Sequence, residues 1–340
     1  MALTTLALIA LAFSLDLLVG EPRNAFHPVA WFGRLVSATD REWSADERRQ
    51  QLAGVAIAAG LPLVAAVAAG GLVLLASNWS QLVGAVLAGV VLFLTISLRS
   101  LLELTDEVVR ATDADVETAR ERVRGLVGRD ASALSPAEVR SAAIESAAEN
   151  LSDGLVAVLL PFAVLAPISL PLAAAVAAWI KAVNTLDSML GYPSKPLGTA
   201  SARLDDAVMW IPARVTAVAI AVAVVDVRSL FRARECARTP SSPNSGWPMA
   251  TLAHVLSVRL TKPGAYALNP GADWPTVADG ERAVTLVGLA AVVSVLIAAV
   301  LAAASAATVT ELETSGALSP IGAAIGSTRP RVDPAEVVRR

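Results

Sequence analysis

The sequence is short of most of what a soluble enzyme uses to build a water-facing surface. Of its 340 residues only 17% are charged, against roughly a quarter in ordinary globular domains. The net charge is −3 and the basic residues are spread through the polar segments, which leaves no basic face for nucleic acid. Cys236 is the single cysteine, so no intramolecular disulfide can form. His27 and His254 are the only histidines, and neither they nor the cysteine offer a metal-ligand spacing. Nor is there an internal repeat or the alternating pattern of an outer-membrane barrel.

What the chain has instead is apolar residues: 55% are hydrophobic and the mean hydropathy is +0.60. Six Ala/Val/Leu-rich runs stand out, at residues 2–19, 52–76, 82–98, 155–178, 208–225 and 284–307. Each approaches the length, about 20 residues, with which a helix crosses a bilayer. The composition therefore predicts an all-α, polytopic helical membrane protein with about five to seven membrane-embedded helices. Residues 1–315 form one integral-membrane domain in this reading, and 316–340 a loose tail. The first run lacks the basic start of a signal peptide and carries Asp16, so it reads as a retained helix rather than a cleaved one.

Three polar regions, 20–51, 99–154 and 179–283, separate the runs. Ser135, Pro136 and Glu138 predict a capped helix running to about residue 150 and beyond. The stretch TPSSPNSGWP, 239–248, predicts turns leading into a helix near Pro248. Pro161, Pro167 and Pro171 interrupt the 155–178 run, which predicts a helical hairpin turning near Ile168. Asp153 lies 15 residues before that turn and Asn184 16 after it, so at about 1.5 Å per residue both emerge at one depth. Glu145, Glu149, Ser152 and Asp153 share a face of one arm; Lys181, Asn184, Asp187 and Ser188 share a face of the other. The two faces predict a lined pocket, with a plain interfacial collar of polar residues as the alternative.

Arg23, Arg34, Arg41, Arg48 and Arg49 follow the first run, which places 20–51 and 99–154 in the cytoplasm by the positive-inside rule. Beyond that three arrangements stay open. Either the 226–283 segment is outside, or 179–207 is, or 208–225 is embedded without crossing and every polar motif stays inside.

Taken singly, the remaining motifs have plain structural explanations. In DLLVGEPRNAFHPVAWFGRLV, 16–36, Asp16 could snorkel or pair with Arg23. In GTASARLDDAVMWIPARV, 198–215, Arg203 and Asp206 could form a local pair worth well under about 1 kcal/mol if exposed, or Asp205 and Asp206 could hold Mg²⁺ with substrate phosphate oxygens. In SPNSGWPMATLAHVLSVRL the turn before a helix could cradle an anion, but no P-loop sequence accompanies it.

Together, VGEPRNAFHPVAWFG, ESAAENLSDG, KAVNTLDSMLGY, ARLDDAVMWIPAR and SPNSGWPMA, in this order over roughly residues 10–265, resemble the CobD/CbiB family of cobalamin-biosynthesis proteins, the adenosylcobinamide-phosphate synthases. Gly20-Glu21-Pro22 stands where that family more often has Gly-Asp-Pro, and YPSKPLGT is unlike its usual link. The resemblance implies an ATP-dependent amide ligase of the cell membrane, with its active site on the cytoplasmic side. It would join aminopropanol, or its phosphate, to a propionate carboxylate of adenosylcobyric acid, with ATP as co-substrate and Mg²⁺ as counter-ion. It also leaves room for other corrinoid-assembly enzymes at the membrane as partners. The catalytic candidates are Glu149, Asp153, Asp187, Lys181 and Asn184. Asp16, Glu21, His27, Asn150, Ser152, Arg203 and Asn244 are candidates for binding substrate or nucleotide, and Asp205 and Asp206 for metal. A transporter subunit and a non-catalytic membrane scaffold are the competing classes. Against transport, the runs 52–76, 82–98 and 284–307 carry no ionisable residue.

Overall fold

The computed structural model describes residues 1–128, 130–192 and 194–315; the expected loose tail, 316–340, lies outside them. The described chain is helical apart from one short hairpin. Helix α1 (Ala2–Val19) ends at Gly20, whose φ of 74° and ψ of −172° suit only a residue without a Cβ. Helix α2 (Pro28–Thr39) is capped by His27, and α3 (Glu47–Trp79) by Asp46. Helices α4 (Gln81–Thr95) and α5 (Leu98–Ala114) meet at a break, where Ser97 N–H reaches across to the Gly154 carbonyl at 3.2 Å. The short α6 (Val116–Val123) follows.

Helix α7 (Pro136–Leu151) begins as its sequence predicts, with Ser135 and Glu138 forming a reciprocal capping box. Its Ala142, Ala143, Ile144, Ala147, Ala148 and Leu151 are all fully buried, so it is the central rod of the bundle. It passes without a break through a π-helical turn, Ser152–Val156, into α8 (Ala157–Leu165). The chain reverses around Ile168 and returns as α9 (Leu170–Leu190), capped by Ser169. This is the hairpin that the prolines predict, and Asn184 Nδ2 donates to Asp153 Oδ2 at 3.4 Å across its arms.

The run at 208–225 is helical as expected: α11 (Trp210–Ala223) lies within it and follows α10 (Thr199–Val208) across a 48° bend at Met209. Pro212 explains the bend, because it has no N–H to give the Val208 carbonyl. After α12 (Val227–Ala233) and a series of turns comes α13 (Gly246–Leu256), starting two residues earlier than the sequence suggested. The hairpin of β1 (Leu260–Lys262) and β2 (Tyr266–Leu268) was not anticipated. Helix α14 (Val277–Thr314) opens with a second capping box, Thr276 and Asp279.

Among the described residues, five helical segments are long and apolar enough to cross a membrane, or six if the bent α10–α11 pair is one span. The polar connections gather at one end of this bundle. Lys195 Nζ meets Asp40 Oδ2 at 2.6 Å, Arg140 Nε donates to the Pro275 carbonyl at 2.8 Å, and Asn244 Nδ2 donates to the Asp206 carbonyl at 2.7 Å. Segments 20–51, 124–153, 184–207 and 239–276 thus share one end, which matches the arrangement in which 208–225 enters without crossing. Helix α11 has 14 residues, about 21 Å of rise, shorter than a hydrocarbon core of about 30 Å.

Candidate active site

A cavity of about 890 Å³ opens at this end, walled by α7 with its π turn, α9, α10, the 124–128 turn, the 241–245 turn and the β-hairpin. Glu145 and Glu149 of α7 are followed by Asp153 of the π turn, and Asp187 of α9 with Asp205 and Asp206 of α10 stand opposite. Among the described residues these six carboxylates meet only two cationic side chains on the wall, Arg124 and Lys262. The Asp205 carboxylate lies within the electrostatic range of Asp153, Asp187 and Asp206. Such a wall repels anions and favours ammonium groups and metal-bound phosphates.

Nine of the fourteen residues singled out in the sequence line the cavity: Glu149, Asn150, Ser152, Asp153, Asn184, Asp187, Asp205, Asp206 and Asn244. Several of them are partly committed elsewhere. Asn150 spends its NH₂ on the Ser146 carbonyl and hydroxyl, at 2.9 and 2.8 Å. Asn244 is 4% exposed and both ends of its amide are engaged: Oδ1 accepts from Arg214 Nη1 at 2.6 Å, and Nδ2 holds the Asp206 carbonyl. Asn244 therefore builds the wall by joining the 241–245 turn to α10. Asp206 is fixed from the same turn by Ser242 Oγ at 3.2 Å.

The other five lie off the wall. Lys181 sits on α9 within the electrostatic range of Asp153 and Glu21, behind the cavity. Glu21 is exposed and accepts from Ser100 Oγ at 3.0 Å. His27 is buried, its Nδ1 accepts from Val29 N–H at 3.2 Å, and burial pushes its pKa down, so it acts as a neutral helix cap. Asp16 neither snorkels nor pairs with Arg23; it is fully buried, and Oδ2 accepts from Arg99 N–H at 2.9 Å, which ties α1 to the start of α5. Arg203 is exposed on α10 and forms no ion pair with Asp206 among the described residues.

Sequence reasoning did not single out Lys262, Arg124, Tyr266 or Arg214. Lys262 and Tyr266 had a readable signal, a Pro-Gly turn inside RLTKPGAYAL, which is the pattern of a β-hairpin. Arg124 and Arg214 had none, since their meaning comes only from distant partners.

Among the described residues no three His, Cys, Asp or Glu side chains are arranged to hold one ion. Asp205 Oδ1, however, is buried without a hydrogen-bond partner, as a carboxylate awaiting a cation would be. That fits Mg²⁺, which takes one or two protein carboxylates and completes its shell with phosphate oxygens and water. It does not fit a resident all-protein metal centre.

A family model described as CobD/Cbib protein matches residues 9–296. A protein of Methanothrix thermoacetophila named "Probable cobalamin biosynthesis protein CobD" is 34% identical over 311 residues, covering 87% of this chain and 96% of that one. Proteins named "Cobalamin biosynthesis protein CobD" from Rhodobacter capsulatus and Clostridium perfringens are 37% and 32% identical, each covering 82% of this chain and 92% and 89% of their own. No solved structure matches the chain.

Proposed function

The chain belongs to the CobD/CbiB family of cobalamin-biosynthesis proteins, and on that footing we propose that it is a membrane amide synthase of corrinoid assembly. It joins aminopropanol, or its phosphate, to the free propionate carboxylate of adenosylcobyric acid at the expense of ATP, on the cytoplasmic face. One observation carries the reading. Motifs up to 100 residues apart in sequence converge on a single cavity rich in carboxylates, where an amine and a metal-bound nucleotide are welcome and a bare anion is not.

The chemistry supplies the reason for that wall. A carboxylate is a poor acyl donor, so its oxygen attacks the γ-phosphorus of ATP, ADP departs, and the acyl phosphate is open to the amine. The amine arrives as an ammonium and must shed protons to attack; Glu149 on α7 and Asp153, one turn on in the π turn, are placed to accept them. Asn184 and Lys181 orient and balance Asp153, and inorganic phosphate leaves as the amide forms. Mg²⁺ held by Asp205 and Asp206 together with phosphate oxygens would neutralise the nucleotide. The arginine-rich 20–51 segment at the same end supports the cytoplasmic side.

Purified protein given adenosylcobyric acid, ATP, Mg²⁺ and either amine should yield a corrinoid heavier by the amine less one water, and none without ATP. Folded protein that makes no product with either amine overturns the reading. Movement of unchanged corrinoid across a proteoliposome would establish a transporter instead.

A further inference from the structure

We propose that Lys262, at the tip of the β-hairpin, is the phosphate-binding cation of this cavity; the proposal rests on the amide-synthase reading for the identity of its ligands. Leu260 pairs with Leu268 across the hairpin and Lys262 with Tyr266. Residues two apart on a strand share a face, so the face that buries Leu260 and Leu268, both 0% exposed, carries Lys262 and Tyr266 onward to the cavity.

The hairpin is pinned to α7 at two points. Thr261 N–H donates to Ser141 Oγ at 2.7 Å, and Tyr266 Oη donates to Glu145 Oε2 at 2.7 Å. Behind it, Arg259 stacks on Trp274 at 4.2 Å and its N–H donates to the Asp273 carbonyl at 2.8 Å. A hairpin held this firmly fixes the backbone that carries Lys262, and the flexible stem leaves its ammonium free to meet a ligand in the cavity. Along α7 the hairpin meets Ser141 and Glu145, Lys262 comes within the electrostatic range of Glu149, and Asp153 lies at the far end. Ser141 to Asp153 is about 18 Å of helix, so Lys262 stands at the hairpin end of an acidic wall, beside Glu145 and Glu149, and Asp153 at the other end.

Among the described residues the other cations near the cavity have partners or lie off the wall, although the pair that Arg124 forms is long and exposed. Arg124 faces Asp130 at 3.8 Å, Lys181 lies behind the wall, and Arg214 is held by Asn244 and the Pro243 carbonyl. Lys262 is on the wall, exposed, and in no salt bridge among the described residues. Six carboxylates turn away a phosphate unless a cation meets it, and among the described residues Lys262 is the wall cation that forms no ion pair. The phosphate comes from one of two sources, the nucleotide or the phosphorylated amine, which present the same oxyanion.

Equilibrium binding of radiolabelled ATP with Mg²⁺, and separately of radiolabelled aminopropanol phosphate and of free aminopropanol, is measured on the full chain in nanodiscs. Lys262→Met keeps the stem and removes the charge. It should weaken one phosphate-bearing ligand roughly tenfold to a hundredfold and leave free aminopropanol unchanged; Lys262→Arg should restore most of the loss. Loss for ATP alone assigns the nucleotide subsite, and loss for the amine phosphate alone assigns the amine subsite. Unchanged binding of both, in a variant that melts like wild type, overturns the proposal, as does equal weakening of all three ligands, which would mark a merely structural lysine. Wild-type protein that binds both phosphates yet makes no amide sinks the synthase reading and leaves the subsite standing.

Discussion

Arg214 makes the sharpest case for a wall that is assembled at a distance. Its guanidinium lies 4.5 Å from the Trp210 ring centroid and 5.3 Å from that of Trp247. It donates to Asn244 Oδ1 at 2.6 Å, the Pro243 carbonyl at 3.1 Å and the Trp210 carbonyl at 2.9 Å. Arg214→Ala removes all of these and leaves the buried Asn244 oxygen without its donor. A hydrogen bond from a charged group is worth about 1.5–3 kcal/mol, and each partly exposed ring contact about 0.5–1 kcal/mol. Since these contributions overlap, the net loss is about 3 kcal/mol, which in a chain of this size lowers the melting temperature by roughly 4 °C. Thermal unfolding in detergent, followed by circular dichroism, reads that shift. The functional arm follows from Asn244 Nδ2 holding the Asp206 carbonyl: once the 241–245 turn loosens, Asp205 and Asp206 lose their register, and product formation should require more Mg²⁺. Arg214→Lys keeps the charge but not the forked geometry, and should fall between. An alanine variant that melts with wild type and keeps its Mg²⁺ dependence would refute the reasoning.

Four further outcomes are expected. Asp153→Asn and Asp187→Asn keep their shape, so protein level in the membrane should hold while amide formation falls roughly a hundredfold or more; parallel loss of both would favour a structural collar. Asp16→Asn keeps the acceptor for Arg99 N–H and should retain activity, whereas Asp16→Ala should cost about 1–3 kcal/mol in unfolding assays; an inactive but stable Asn variant would put Asp16 in the chemistry. Single cysteines at Ser188 and Ser241, both exposed, in a Cys236→Ser background should label from one side with an impermeant maleimide, and labelling from opposite sides would rule out the shared polar end. Cys236 Sγ lies 3.9 Å from His254 Nε2, and burial pushes the thiol up and the imidazole down. The pair is neutral near pH 7, so Cys236→Ser should leave activity intact, and rapid alkylation of the wild-type thiol at that pH would contradict the assignment.

What the sequence made legible is what its own neighbours decide. The Ser135–Glu138 box, the reversal at Ile168 and the shared depth of Asp153 and Asn184 each follow from residues within one hairpin or one turn. Asp16 was misjudged because its partner is the backbone of Arg99, 83 residues on; Arg23 merely stood closer in the text. Asn244 looked like a ligand-binding amide because nothing local reveals that both its ends are spent. Arg203 shows the converse, a charge beside two aspartates that the helix turns outward. Lys262 could have been found, since a strand-turn-strand pattern surrounds it, but its place over α7 depends on contacts about 120 residues apart.

The π turn at Ser152–Val156 has a consequence for how this helix tolerates change. One extra residue is wound into a single turn, so the sequence pattern slips by one position, about 100° of α-helix, while the faces before and after the turn keep their directions. The acidic stripe of α7 and the apolar packing of α8 are therefore two patterns set out of phase, and the wide turn is the splice between them. Deleting one residue there would let the rod close into regular α-helix throughout, with a better hydrogen-bond ladder. The flanking arms would keep the faces they now present, because the wide turn already holds the extra residue as a bulge; what would change is the turn itself, from which Asp153 meets Asn184. A deletion elsewhere in the rod has no such slack and would turn one arm by about 100° against its neighbours, so the bundle should tolerate the loss of a residue at this splice better than one within α7 or α8.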